Sequence, residues 1–292
     1  MARRRRRRPG EGLRALASKV STASAAARWR IRPGRGVDLA AIDAGDTGGA
    51  PGDKDATVAT FPHLHGRLAV LQEQLFAEQS RSLLVVLQAI DAGGKDGTVK
   101  HLFKGLNPSS CRVVSFRAPS EEELAHDFLW RVHRHVPARG EVAVFNRSHY
   151  EDVLVVRVHE LVPESAWRPR YGLIRHFEEN LAAAGTTVVK LFLHISPDEQ
   201  AERFRDRLAD PTKQWKFRRG DLDDRARWTD FEAAFAEAIE ETTTDGAPWY
   251  VVPADRKWFR NWAVSQILVE TLEVLGPRYP PPPDDLAGVV IE

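Results

Sequence analysis

Five short runs rich in apolar and β-branched residues punctuate this chain, and between them apolar residues recur at helical spacing. The runs are SLLVVLQAI (82–90), RVVSFRAP (112–119), EVAVFNRS (141–148), TTVVKLFLHIS (186–196) and PWYVVPA (248–254). Each reads as a strand. A helix is predicted over 64–79, where Leu64, Leu68, Leu71 and Leu75 share a face. Another covers 98–106 and stops at Asn107-Pro108. Ser120 and Glu123 form a capping box that opens a helix to about His135. Further helices are predicted over 168–185, capped by Gly185, and over 197–208, with Pro197 at its first position behind Ser196. The last two cover 230–243 and 257–275, the latter ended by Gly276-Pro277. Residues 37–56 are rich in Gly and Asp and read as a loop, residues 280–292 as an extended tail.

Strands alternating with helices predict an α/β fold whose parallel five-stranded sheet is covered on both faces. Ligands of such sheets bind beyond the C-terminal strand ends. That rule singles out 91–97, 117–120, 146–152 and 254–257, each of which carries charge.

The first of these stretches has the order strand, Gly-rich turn with Lys, helix, as in a phosphate-binding P-loop. The turn runs Ala89-Ile-Asp-Ala-Gly-Gly-Lys-Asp96. A Walker A sequence would carry Gly at 89 and Ser or Thr at 96. Backbone N–H groups around Gly93, Gly94, Gly97 and Thr98 can cradle a phosphate at a helix N-terminus, and Lys95 adds a mobile positive charge. Asp91 and Asp96 would repel that phosphate unless a cation sits between, and Mg2+ takes carboxylate and phosphate oxygens together. Turn formation and N-capping are the ordinary alternatives for both. After the third strand, NRSHYED places Asn146 where a Walker B acid would stand, and Arg147 can clamp a phosphate through both guanidinium arms. His149 in this cluster reads as structural. The segment 202–222 is basic: Arg203 and Arg207 lie one helical turn apart, and Lys213, Lys216, Arg218 and Arg219 follow. A basic helix and loop beyond a phosphate-binding sheet reads as a mobile lid.

Composition changes the picture in two ways. A single cysteine, Cys111, forbids an intrachain disulfide and favours a reducing compartment, hence a cytoplasmic protein. It reads as inert packing. The net charge of +1 hides an asymmetry: residues 1–36 hold twelve basic residues and one acid, leaving 30 basic and 40 acidic residues in 37–292. The run Arg3 to Arg8 predicts a disordered basic tail over 1–36, solvated or attached to a polyanion. No apolar region follows it, against a secretory signal, whereas an organellar transit peptide would share its composition. No run approaches the length of a membrane span. The eight tryptophans read as packing residues.

Three motifs in order, AIDAGGKD (89–96), NRSHYED (146–152) and QWKFRRGDL (214–222), resemble polyphosphate kinase family 2 over roughly 30–275. Ala89 departs from the family's first position, a substitution that costs about 1 kcal/mol if the residue there needs positive φ. The resemblance implies a thymidylate-kinase-like three-layer P-loop fold with a helical lid over about 200–225. A catalytic domain would span 37–276, with a Pro-rich tail over 277–292. The implied activity is Mg2+-dependent transfer of the terminal phosphate of inorganic polyphosphate to purine nucleoside mono- or diphosphates. By the same resemblance Lys95 contacts the donor, and Asp91 and Asp96 stand near the metal. Arg147, Arg203 and Arg207 bind the anionic chain or the nucleotide, with Asn146, Asp152, Lys213 and Arg218 in support. A homo-oligomer, dimer or tetramer, is implied too, with no need of nucleic acid. Two rivals stay open at this point: an ATP-using nucleoside monophosphate kinase, and a non-catalytic polyanion-binding module.

Overall fold

The computed structural model describes residues 24–283 and 289–291. The run Arg3 to Arg8 lies outside them. Five strands form one all-parallel sheet: β1 (Ser82–Gln88), β2 (Cys111–Ser115), β3 (Val142–Asn146), β4 (Thr186–His194) and β5 (Trp249–Pro253). Their order is β2-β3-β1-β4-β5. From central β1 the chain moves outward to β2, returns through β3, then crosses β1 to reach β4. This reversal opens a crevice at the C-terminal ends of β1, β3 and β4.

Seven helices matter for the site: α1 (Phe61–Glu78), α2 (Lys95–Leu102), α3 (Arg170–Ala183), α4 (Pro197–Ala209), α5 (Gly220–Ala226), α6 (Trp228–Thr242) and α7 (Lys257–Leu275). Alternate residues of β1 explain the three layers. Leu83, Val85 and Leu87 pack with Leu68 and Leu75 of α1 and Ile267 of α7. Leu84 and Val86 pack with Ile174 of α3 and Phe235 of α6. Every residue of β1 is buried, so the strand reads as a continuous apolar run.

Local chemistry moved several boundaries. Helix α2 begins at Lys95, three residues before its predicted start, because Gly94 takes φ 99° and turns the chain straight into the helix. The Ser120–Glu123 capping box forms, but the helix ends after one turn, Glu121–Leu124. Asp127 interrupts it: its carboxylate accepts the Leu129 N–H at 2.9 Å, and a second short helix, Trp130–His133, follows.

The predicted tail over 1–36 is shorter at its inner end. Ala25–Arg28 forms a 3-10 turn, and Trp29 is buried edge-on against Phe259 and Trp262, both at 5.8 Å. Ile31 N–H donates to Trp249 O, and Val251 N–H donates to Trp29 O, each at 2.9 Å. This antiparallel stretch covers the outer edge of β5. Charge counting grouped these residues with the arginine run, but Trp29 has enough apolar surface to anchor them.

Cys111 is buried and burial pushes its thiol up to about 12, as inert packing requires. No helix among the described residues is long and apolar enough to cross a membrane.

Candidate active site

Ala89–Lys95 leaves β1 as a tight loop that turns into α2. Left-handed backbone falls at Ala92 (φ 63°) and Gly94, not at Ala89, so the alanine in the first loop position carries no such penalty. The strain sits at Ala92 instead, at about 1 kcal/mol. Gly93 is required sterically, since a Cβ there would meet the Ala89 Cβ at 2.4 Å. Gly97 lies in the first turn of α2, and the buried Thr98 donates its hydroxyl to Gly94 O at 3.2 Å, closing the loop on itself. The partly buried Lys95 folds back, Nζ donating to Ala89 O at 2.8 Å. Burial, then the charge of Arg147, push its ammonium down to about 8 against the pull of Asp91, Glu151 and Asp96.

Arg147 follows the end of β3 with φ 62°, an uncommon conformation for a side-chain-bearing residue. Its N–H donates to Leu87 O at 3.0 Å, which ties it to the end of β1. The guanidinium donates to Asp91 Oδ1 at 2.6 Å and to Glu151 Oε2 at 3.0 Å. Burial raises the Asp91 carboxyl, but Arg147, Lys95, Arg207 and Arg218 together hold it below its ordinary value. Arg147 touches that carboxylate, and the charges of Lys95, Arg207 and Arg218 act on it from further away. Beside it lies a small cavity walled by Ile90, Leu154, Val155, Phe231 and Phe235, with Asp91, Glu151 and Asp224 facing it.

Asp96 answers why an acid replaces the Walker hydroxyl. It is exposed, accepts Asn146 Nδ2–H at 2.9 Å, and lies 3.6 Å from Lys216 Nζ of the lid. One carboxylate therefore joins the loop, the end of β3 and the lid. The lid comprises α4, a 3-10 turn at Gln214–Lys216, and α5. Gln200 Nε2 of α4 donates to Asp91 O at 3.0 Å, so the lid base is also fastened to the loop.

Three predicted residues sit apart from this cluster. Arg203 is buried and donates to Ala92 O (2.8 Å) and Ala254 O (2.6 Å), while pairing with Glu199 at 2.7 Å. It staples the loop to the end of β5, whereas Arg207, one turn on, faces Asp221 at 3.8 Å and donates to Lys216 O at 3.4 Å. Asp152 lies between Arg131 (3.6 Å) and Arg170 (3.4 Å), away from the loop. Lys213 pairs with Asp210 on the exposed face of the lid. Helical spacing put Arg203 and Arg207 on one face but could not reveal which would be covered.

Behind NRSHYED lies a buried polar network. Tyr150 Oη donates to Glu178 Oε1 at 2.8 Å, and Lys190 Nζ of β4 donates to Glu178 Oε2 at 2.6 Å and to Thr242 O at 2.7 Å. His149 is fully buried, 3.4 Å from Glu178, consistent with a structural histidine. Sequence reasoning missed Glu178 and Lys190, which show as a charged residue within each of two otherwise apolar patterns. It also missed Arg260 and Asp224, and left the role of Glu151 open. Most tryptophans pack as expected; Trp215 of the lid is the exception, at 76% exposure.

Carboxylates poised beside a cationic loop suit a hard cation shared with phosphate. Among the described residues no group of three or more His, Cys, Asp or Glu forms a metal cage. Mg2+ needs none, since it keeps waters and substrate oxygens and takes one or two carboxylates. The donor set of Asp91 and Asp96 fits that ion.

Residues 52–278 match the family model described as polyphosphate kinase 2. The chain belongs to the polyphosphate kinase 2 family. It is 54% identical over 265 residues to an AMP/ADP-polyphosphate phosphotransferase of Meiothermus ruber, covering 91% of this chain and 99% of that one. An ADP-polyphosphate phosphotransferase of Rhodopseudomonas palustris is 43% identical over 272 residues, covering 87% and 91%. The crystal structure of a polyphosphate kinase 2 from Arthrobacter aurescens TC1 superposes with a TM-score of 0.87 at 44% identity, covering 90% of this chain and 94% of that one. The five-stranded parallel sheet with its loop and lid is therefore the P-loop kinase-like fold that the motifs implied.

Proposed function

We propose that this protein transfers the terminal phosphate of inorganic polyphosphate to nucleoside mono- and diphosphates, AMP to ADP and ADP to ATP. The observation that carries the reading is similarity over 91% of this chain to the Meiothermus ruber AMP/ADP-polyphosphate phosphotransferase, with Lys95, Asp91 and Arg147 gathered at one sheet edge. The acceptor phosphate oxygen is already anionic, so transfer needs positioning and charge neutralisation rather than a strong base. Lys95 and the loop amides hold the donor phosphate. Arg147 is fixed by Asp91 and Glu151 to face the transferring group, and Arg207 and Arg218 bring charge from the lid. Asp91 and Asp96 would hold Mg2+, which when bound would supply further charge neutralisation for the phosphates. The cytoplasmic location and the homo-oligomer stay part of this reading, on the single cysteine and on the family resemblance.

The test is a product assay with Mg2+, long-chain polyphosphate and either AMP or ADP, without ATP. ADP and ATP should form from AMP, and ATP from ADP. ATP from ADP alone would remove the monophosphate acceptor. Turnover only when ATP phosphorylates a nucleoside monophosphate would replace the reading with an ordinary kinase.

The lowered Lys95 gives a pH signature. Protonated Lys95 binds donor, so kcat/KM for polyphosphate should fall as pH rises through about 8 in the free enzyme. Bound phosphate favours the charged ammonium, so the alkaline limb of kcat should lie at higher pH. Coincident limbs in the two profiles would contradict this assignment.

A further inference from the structure

Gln88 is the last residue of β1 and the last before the phosphate loop. It is completely buried. It continues the alternation of Leu84 and Val86, so its side chain belongs to the layer of α3 and α6. Its Nε2 donates to Ser148 Oγ at 3.2 Å, and its Oε1 has no partner among the described residues. A buried amide left half satisfied costs stability, and an apolar side chain of similar size would not incur that cost. Stability therefore does not account for a glutamine at this position.

Its one contact does. Ser148, also completely buried, caps the short turn His149–Asp152 by accepting the Tyr150 N–H at 3.2 Å. It directly follows Arg147, whose left-handed backbone has to be held by its surroundings. Two neighbours on β1 thus grip two neighbours on the other segment. Leu87 O accepts the Arg147 N–H at 3.0 Å, and the Gln88 amide holds the Ser148 hydroxyl. On its other side Gln88 is joined to Ala89, whose carbonyl accepts a hydrogen bond from Lys95 Nζ. Gln88 therefore stands between the anchor points of Lys95 and Arg147. A shift of about 1 Å in one of these cations relative to the other is enough to cost roughly 100-fold in rate.

We propose that Gln88 is a positioning residue for phosphoryl transfer, which through Ser148 holds Arg147 at a fixed spacing from Lys95 across the transferring phosphate. The inference rests on the polyphosphate reading above. Gln88 touches no substrate in this account and acts through Arg147 alone.

The experiment compares wild type with Gln88→Leu and Gln88→Met, each alone and combined with Arg147→Ala. It measures ATP formation from ADP and polyphosphate, and thermal unfolding. Each Gln88 variant should lower kcat roughly 10- to 100-fold while KM for polyphosphate and for ADP changes less than about 3-fold. The melting temperature should hold or rise, because the unsatisfied amide has gone. In the Arg147→Ala background the same substitutions should lower kcat less than about 2-fold further, since the group they position is absent. Wild-type kcat in both Gln88 variants would overturn the inference. A fall in kcat that tracks a lowered melting temperature in both would assign Gln88 to packing and overturn it too. So would a loss of the same size with and without Arg147. A wild type that makes no ATP from polyphosphate would instead sink the functional reading itself.

Discussion

Lys95→Ala should lower kcat by about 10²–10³-fold or more with polyphosphate and ADP, with the fold left intact. Losing one preorganised charge that stabilises a transferring group costs on that order. Lys95 stands at the first position of α2, beside loop amides that cannot move to replace it. Its single hydrogen bond in the free protein is to Ala89 O, so its removal breaks little structure. Burial already disfavours its charge, and alanine is a strong helix former, so thermal stability should hold or rise. Rapid-quench or coupled measurement of ATP formation, together with a melting curve, checks both parts. Near wild-type turnover would remove Lys95 from the mechanism.

Glu178→Ala should destabilise the protein by about 3–5 kcal/mol, the cost of leaving a buried charge without its partner. Lys190 is completely buried, and after this change its ammonium would keep only Tyr150 Oη and Thr242 O. Burial raises the Glu178 carboxyl, but Lys190 and His149 outweigh it and hold it below its ordinary value. Replacing both partners by apolar residues, Glu178→Leu with Lys190→Met, should recover most of the loss, because no isolated charge remains. Urea unfolding of Glu178→Leu, of Lys190→Met and of the double variant measures the coupling. Additive losses would show that the pair contributes nothing as a pair. Activity should fall with stability in Glu178→Ala, since Tyr150 and His149 anchor the segment that holds Arg147 at φ 62°.

The strands and the long helices were legible because their patterns come from burial on two faces or one, as in β1 and α1. Within the site, Lys95, Asp91 and Arg147 were legible because each belongs to a short contiguous motif, and the fold brings those motifs to one edge. Arg203 was grouped with Arg207 because a buried staple and a substrate-binding arginine look the same in a basic helix. Only the carbonyls of Ala92 and Ala254, remote in sequence, decide between them. Arg260 escaped notice for the converse reason: it sits in an ordinary helical pattern, and the backbone it packs against belongs to two glycines more than a hundred and sixty residues earlier. The break at Asp127 depended on one side chain competing with the helix for backbone N–H groups, a contest that spacing does not reveal.

The antiparallel stretch at Trp29–Ile31 bears on how the protein is cut for expression. A clone trimmed to the region of family similarity would begin near residue 52. It would discard Ala26 and Trp29, bare the aromatic faces of Phe259 and Trp262, and leave β5 with an unpaired outer edge. Such a fragment would keep every motif residue and yet present a template for strand-to-strand aggregation. Similarity ends where sequence stops being shared, whereas the folding unit ends where the last edge is covered.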